Sequence, residues 1–417
     1  MKKILTQLLF PIIISLTPGA IMAQFVCETE TSAKYASEEE EFNNYVLDFR
    51  DQGGHLDTSI KYIPTVVHII MKSPEDTITM ERVIWQIEQT NIHMRRQNAD
   101  TVNTREMFRA VAADTHIELC LATIKPDGEE FEGVMWHFVP DKSAEELEPY
   151  LENHIFDTEK YLNVWVRPDI SSASGTFPWL SHQFDDGIQI SHSLFGYDPI
   201  GGNPLHQEGK ILTHELGHYL GLYHTFHLGN WFVANCDPPH CDSITDRCCD
   251  TPLDWTFPAW TGETCVFSEL LCTENDSIIY PQNENYMFYN PDWCVNMFSN
   301  DQRTRMRATL NSIRANLCSP ENLVATGANC SPATIIRPPE KPQQIRIYPN
   351  PAHDFIHIDY GDLHPKQAQI TVYNLMGKAV IREDGSNRIA LNGLPSGLYL
   401  IHIRMGEVLI TEKVLKK

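Results

Sequence analysis

The strongest chemical signal in the chain is the run Thr213-His214-Glu215-Leu216-Gly217-His218-Tyr219-Leu220-Gly221-Leu222-Tyr223-His224. His214 and His218 are four residues apart, so on a helix both imidazoles leave one face and can bind one cation. Gly221 lets the chain turn sharply out of that helix, which brings His224 back as a third ligand. Three neutral histidines leave the fourth position of a zinc ion open, the arrangement of a catalytic site. Glu215 projects beside the metal without having to bind it. It can accept a proton from zinc-bound water and pass it to a leaving amine. His68, His93 and His116 have no such spacing and read as structural or surface histidines.

Several elements must position that run. Ile211 to Leu222 reads as a helix, apolar on one face. Ile63-Pro64-Thr65-Val66-Val67-His68-Ile69-Ile70 reads as a buried strand, with further strands at His116–Leu121 and Tyr161–Val166. Helical spacing predicts helices over Thr79–Arg96 and Asp301–Leu317. Cys236 to Cys294 holds seven cysteines among many Asp, Pro and Asn, so it is loop-rich and needs covalent or ionic bracing. Residues 24–58, with the run Glu38 to Glu41, read as a weakly structured acidic leader without a core. Pro320, Pro332, Pro338, Pro339 and Pro342 make 319–344 a stiff linker. From residue 345 short alternating strands and turns at Pro349-Asn350-Pro351, Met376-Gly377 and Pro395-Ser396-Gly397 predict a small all-β module.

The chain has 417 residues, 42% of them apolar, enough for two or three domains. A net charge of -23 makes nucleic acid or an anionic membrane a poor partner. The charge is uneven: the tail from Gln344 carries 9 basic and 7 acidic residues, leaving about -25 on the rest. At the start, Lys2 and Lys3 precede an apolar run from Ile4 to Leu16 and the small residues Gly19, Ala20 and Ala23, the layout of a secretory signal ending at residue 23. The rival reading, a membrane anchor, needs about 20 apolar residues. No other stretch is apolar enough to span a bilayer. An exported chain forms disulfides, and the eleven cysteines leave one over.

His-Glu-x-x-His-x-x-Gly-x-x-His resembles the metzincin signature, and Asn285-Tyr286-Met287-Phe288-Tyr289 resembles the Met-turn of that group. From Tyr62 to Leu317 the chain is similar to pappalysin-type metzincins, through Ile63-Pro64, Leu119-Cys120-Leu121-Ala122, Leu162-Asn163-Val164-Trp165, Asp250-Thr251-Pro252 and Gln302-Arg303-x-Arg305-Met306. The resemblance implies an α+β zinc endopeptidase domain over 59–318 that binds protein or peptide substrates extended along an edge strand. It assigns His214, His218 and His224 as zinc ligands, Glu215 as general base, Met287 beneath the metal, and Tyr289 as the tyrosine that binds the metal or stabilises the oxyanion. It implies disulfides Cys236–Cys272 and Cys265–Cys294, and a calcium site at Asp246, Asp250 and the Thr251 carbonyl. Cys241, Cys248 and Cys249 are extra to that pattern. Cys318 and Cys330 could close a short loop. A second zinc cluster among these cysteines is the competing reading, and a plain Asp-initiated turn the competing reading of the calcium segment.

In related zymogens a leader cysteine blocks the zinc. Cys27 stands in the right segment, the alternative being a disulfide with Cys120 or Cys241, and Arg50 is one candidate site for leader removal. Relatives that prefer Arg or Lys have an Asp directly before the cysteine that follows the Met-turn; here Trp293 stands there and Asp292 one residue earlier. Ile347-Tyr348-Pro349-Asn350-Pro351, Val372-Tyr373-Asn374-Leu375-Met376-Gly377 and Leu394-Pro395-Ser396-Gly397-Leu398-Tyr399 resemble the sorting domain of type IX secretion, a β-sandwich over 345–417. That resemblance implies export through the type IX machinery. A carbohydrate- or protein-binding sandwich is the rival for the tail, and a zinc-dependent adhesin the rival for the whole chain.

Overall fold

The computed structural model describes residues 27, 33–181, 186–198, 202–203, 205–226, 241, 246–252, 265, 272–274, 277–328, 346–360, 368–374, 379–405 and 408–417. The signal segment, Cys236, Cys330 and the Met376-Gly377 turn lie outside these residues. Two compact units are present, Met1–Ser331 and Pro332–Lys417. Among the described residues no helix is long and apolar enough to cross a membrane.

The first unit is built on β1 (Lys61–Met71). Its first half pairs in parallel with β2 (Ile117–Leu121) and its second half with β3 (Val134–Phe138). The other side of β1 pairs in parallel with β4 (Leu162–Arg167). The chain then forms β5 (Ala173–Gly175) and β6 (Ile188–Ser191); β6 is parallel to β4, and β5 closes the edge antiparallel to β6. Both faces of this sheet are covered, which is why β1 is buried without alternation from Ile63 to Ile70. Ile63, Val67 and Ile69 point to the main core, shared with Val83 and Ile87 of α2 (Met80–Met94). Ile70 points the other way, onto Leu147 and Leu151 of α3 (Ala144–Glu152). Thr79 caps α2 by accepting the Arg82 N–H, ending the strand-to-helix turn at the hydroxyl residue that sequence rules favour.

Three expectations change. The leader is not devoid of structure: α1 (Ala36–Asp51) buries Phe42, Asn43 and Val46 against the rest of the first unit, and Arg50 sits in its last turn. The Glu run hides this helix, because its apolar residues gain a partner only in the folded chain. The helix placed over 301–317 is shorter: α5 (Asn300–Thr309) ends near Leu310, and a tight turn at Ala315–Cys318 follows. The start of the proline-rich linker is ordered as α6 (Pro320–Ala325), where Pro320 takes the first-turn position that lacks a hydrogen-bond duty.

The second unit holds two antiparallel sheets. β7 (Arg346–Tyr348), β8 (Phe355–Asp359) and a later strand form the first. β9 (Ala368–Asn374) and β10 (Ala379–Asp384) pair as a hairpin, and β11 (Arg388–Ala390) completes the first sheet beside β8. β12 (Gly397–Met405) and β13 (Val408–Lys416) complete the second, in the order β10-β9-β12-β13. Ile356, Ile358 and Ile389 from one sheet share a core with Ile370, Val372, Ile401 and Val414 from the other, the expected small sandwich.

Candidate metal centre

The metal helix is α4 (Lys210–Tyr219), every residue of it buried. Sequence reasoning carries the helix to Leu222, but it ends earlier for a reason visible in the backbone. Gly221 adopts φ 92, its N–H donates to the His218 carbonyl, and the Leu222 N–H donates to the Gly217 carbonyl. This pair of bonds is the left-handed glycine cap, a conformation that a side chain resists. The chain thereby reverses and returns His224 to the helix.

His214, His218 and His224 converge through their Nε2 atoms, at 3.1 Å between His214 and His218, 3.2 Å between His214 and His224, and 3.0 Å between His218 and His224. The Nδ1 of His214 donates to the Tyr286 carbonyl at 2.6 Å, and that of His218 to the Leu222 carbonyl at 2.7 Å. A carbonyl only accepts, so in these two rings Nδ1 carries the proton and the Nε2 lone pair faces the centre. Burial pushes the His214 imidazole down to about 4, so it is neutral. Converging lone pairs repel one another unless a cation lies among them. Tetrahedral zinc with ~2.05 Å Zn–N bonds sets ligand nitrogens about 3.3 Å apart, close to what the three rings present. The donor set fits the metal.

Glu215 is fully buried beside this centre, and the Cys27 thiol contacts its Oε2 at 3.6 Å. Cys27 Sγ and the three imidazole nitrogens all lie within 4.8 Å of one another. Cys27 also bridges in parallel to Ala173 on edge strand β5. Tyr289 donates its hydroxyl to the Cys27 carbonyl at 3.3 Å. Burial, reinforced by Cys27 and Glu215, holds that phenol well above its usual range, so it stays a donor.

Beneath the helix, Met287 is fully buried, and a Cβ at Gly217 would stand 2.4 Å from its sulfur. Asn285 shapes the turn by accepting the Met287 N–H and exchanging two hydrogen bonds with Gln302 on α5. A Cβ at Gly175 on β5 would stand 2.3 Å from the Glu215 carbonyl, so edge strand and metal helix touch backbone to backbone. Sequence reasoning missed Gly175, Asn285 as a shaper and Gln302 as its partner; only the Gln-Arg-x-Arg-Met run hinted at the last.

A family model described as pregnancy-associated plasma protein-A matches residues 146–311, and one described as the secretion system C-terminal sorting domain matches 346–417. Residues 146–311 thus match the pappalysin-type metalloprotease family. The chain is 32% identical over 164 residues to an extracellular metalloprotease of Neurospora crassa, covering 38% of this chain and 51% of that protein. It is 32% identical over 169 residues to one of Arthroderma benhamiae, covering 38% and 54%. The chain thus spans about half the length of these relatives. Among solved structures it resembles mirolysin in complex with a compound, at 27% identity and a TM-score of 0.51 over 64% of this chain and 98% of that one. It also resembles a promirolysin mutant of Tannerella forsythia, at 26% identity and a TM-score of 0.51 over 66% and 91%.

The cysteines depart in part from expectation. Cys265 bonds Cys294, with Cα atoms 5.5 Å apart, tying the segment after the Met-turn. The Cys236–Cys272 bridge involves a residue outside the described ones. Cys241 bonds Cys249, so two of the three extra cysteines form a loop staple and Cys241 is not available to Cys27, while Cys248 is a buried thiol without a disulfide. Cys318 carries no disulfide: it packs on the main core, and burial pushes its thiol up to about 12.

Asp292 does not supply a free pocket carboxylate. Its Oδ1 accepts from His206 Nδ1 at 3.0 Å and its Oδ2 accepts the Glu208 N–H at 2.8 Å, at the entry to α4. It is spent on holding the metal helix.

In the segment expected to bind calcium, Asp246 accepts from Thr251 Oγ1 at 2.7 Å and from the Cys248 N–H at 3.1 Å. Asp250 takes the Asp301 N–H on Oδ2, while its buried Oδ1 has no partner among the described residues. Burial raises the Asp246 carboxyl to about 8 and, with the nearby Asp301, that of Asp250 to about 6.

Proposed function

We propose that the chain is a secreted zinc-dependent endopeptidase made as a zymogen. One observation carries the reading: three imidazole nitrogens, the Glu215 carboxylate and the Cys27 thiol meet at one point. His214, His218 and His224 would hold the zinc, which supplies a Lewis acid for the scissile carbonyl and acidifies a water. Glu215 reaches the place that Cys27 fills, so with the leader gone it takes the proton of the attacking water and returns it to the departing amine. Tyr289, whose hydroxyl meets a backbone carbonyl oxygen of the leader, donates to the oxygen that becomes negative. β5 offers its edge to an extended substrate, as it does to the leader at Cys27. The tail would be read by the type IX secretion machinery.

The test is cleavage of a peptide library by the processed chain, with and without a chelator. Internal cleavage that chelation abolishes and zinc restores is expected. Because Asp292 is engaged at α4, enrichment of Arg or Lys beside the scissile bond is not expected to follow from it. Absence of any cleavage by zinc-loaded, processed protein would remove the protease reading.

Calcium is proposed at Asp246, Asp250 and the Thr251 carbonyl, supported by an Asp250 oxygen with no partner among the described residues and by two raised carboxyls. The sign follows from linkage. A folded-state carboxyl raised above its ordinary value of 3.8 favours folding while protonated, and that contribution is lost as pH rises through about 6 for Asp250 and about 8 for Asp246. Calcium-free protein is therefore expected to melt at lower temperature at pH 8 than at pH 5, and added calcium to narrow the gap, by calorimetry. A gap that calcium leaves unchanged would count against the site.

A further inference from the structure

The leader contacts far more of the catalytic unit than the metal centre. Along α1, Glu39, Phe42, Asn43, Val46 and Phe49 form one face at helical spacing. Tyr223 donates its hydroxyl to Glu39 at 2.5 Å, Arg247 pairs with Glu40 at 3.1 Å, and Arg305 donates to Asn43 Oδ1 at 2.6 Å. Phe42 and Val46 enter an aromatic cluster with Phe177, Trp179 and Tyr223, where the Phe42 and Trp179 rings are 5.6 Å apart.

This receiving face is joined to the metal site. Tyr223 directly precedes ligand His224. The Phe177 ring stands edge-on to that of His218 at 5.4 Å. Arg305 donates through Nε to the carbonyl of Gly221, the residue that turns the chain toward His224, while its plane lies 5.1 Å from Phe42 and 4.8 Å from Tyr223. Cys27 supplies one sulfur at the centre, whereas α1 supplies an apolar stripe and three polar contacts, two of them through carboxylates, matched to a basic, aromatic surface.

We propose that this face, formed by Phe177, Trp179, Tyr223, Arg247 and Arg305, is a docking site for the leader helix that outlasts leader cleavage. The occupant is the released leader of this chain, an acidic amphipathic helix. The helix supplies the affinity and Cys27 supplies the block, so cutting the chain does not by itself open the site; dissociation of α1 does. The inhibitory half rests on the zinc-protease reading, while the docking half stands without it. A 16-residue helix is marginal when free, so it orders on binding and the affinity is expected near micromolar.

The test uses the full chain with a site-specific protease sequence inserted after Gln52, in the exposed turn that follows α1. After cutting, the leader is expected to co-elute with the body on gel filtration and activity to stay suppressed until dilution. With Phe42→Ala and Asn43→Ala in the leader, the cut fragment is expected to separate, its affinity down at least about tenfold. These changes leave the processed body chemically identical to the parent. Synthetic leader 24–52 added back is measured by calorimetry: parent peptide binds and inhibits, and Cys27→Ser peptide binds but inhibits less. Immediate separation of the cut parent leader, or equal binding of the Phe42→Ala/Asn43→Ala peptide, would overturn the docking site. Peptide that binds as expected to a body that cleaves nothing would leave the docking site standing and remove the protease reading.

Discussion

Glu215→Gln is expected to lower peptide hydrolysis by about 10²–10⁴-fold, the usual worth of a positioned general base. The amide keeps the size and burial of the carboxyl but cannot accept a proton at neutral pH. Glu215 occupies α4 between the proposed ligands His214 and His218, yet the three imidazole nitrogens close the centre without it. Zinc content by elemental analysis should therefore remain that of the parent. The loss should appear in kcat more than in KM, since Glu215 acts on the proton and not on substrate affinity. Parent-level hydrolysis by the Gln variant with full zinc would assign the base elsewhere. Loss of zinc together with activity would mean that Glu215 holds the site instead of working in it.

Asp186→Ala is expected to produce the largest loss of stability, about 3–5 kcal/mol. Asp186 meets the Arg314 guanidinium through two bonds of 2.7 and 2.8 Å, and both residues are fully buried. Arg314 also donates to the Tyr219 carbonyl at the end of α4 and to the Thr176 carbonyl just beyond β5, with its plane 3.6 Å from the Tyr219 ring. One cation thus ties the metal helix, the edge strand and the segment after α5. Removing the carboxylate leaves that charge buried and uncompensated. Total stabilities of about 5–15 kcal/mol make the loss large enough to shift a denaturant midpoint visibly. The double change Asp186→Ala, Arg314→Met should recover much of it, because the buried charge is gone as well. A single-variant midpoint equal to the parent's would show that the pair is not what holds these elements.

The convergence of His214, His218 and His224 was legible because its information is local. Two histidines one helical turn apart, a glutamate between them and a glycine able to take positive φ are all set by backbone geometry over twelve residues. The central strand, the second helix and the alternating strands of the tail were legible for the same reason: burial on both faces, or on one, writes its period into the chain. The Cys265–Cys294 bridge came through the family pattern, and the structure has it.

What stayed hidden depends on partners far along the chain. Asp186, Asp246 and Asp292 look alike in the sequence. One balances Arg314, one accepts from Thr251, and one receives His206 and the entry of α4. The helix in the leader was concealed because Phe42 and Val46 have no partner until Trp179 and Tyr223 stand opposite them. Gly175 gave no signal at all, since the 2.3 Å approach of the Glu215 carbonyl exists only after strand and helix are packed. The sequence by itself determined which residues can hold a metal and move a proton. The tertiary structure decided which charges are spent on scaffolding and how much of the leader grips the body, because those follow from long-range packing that no local spacing encodes.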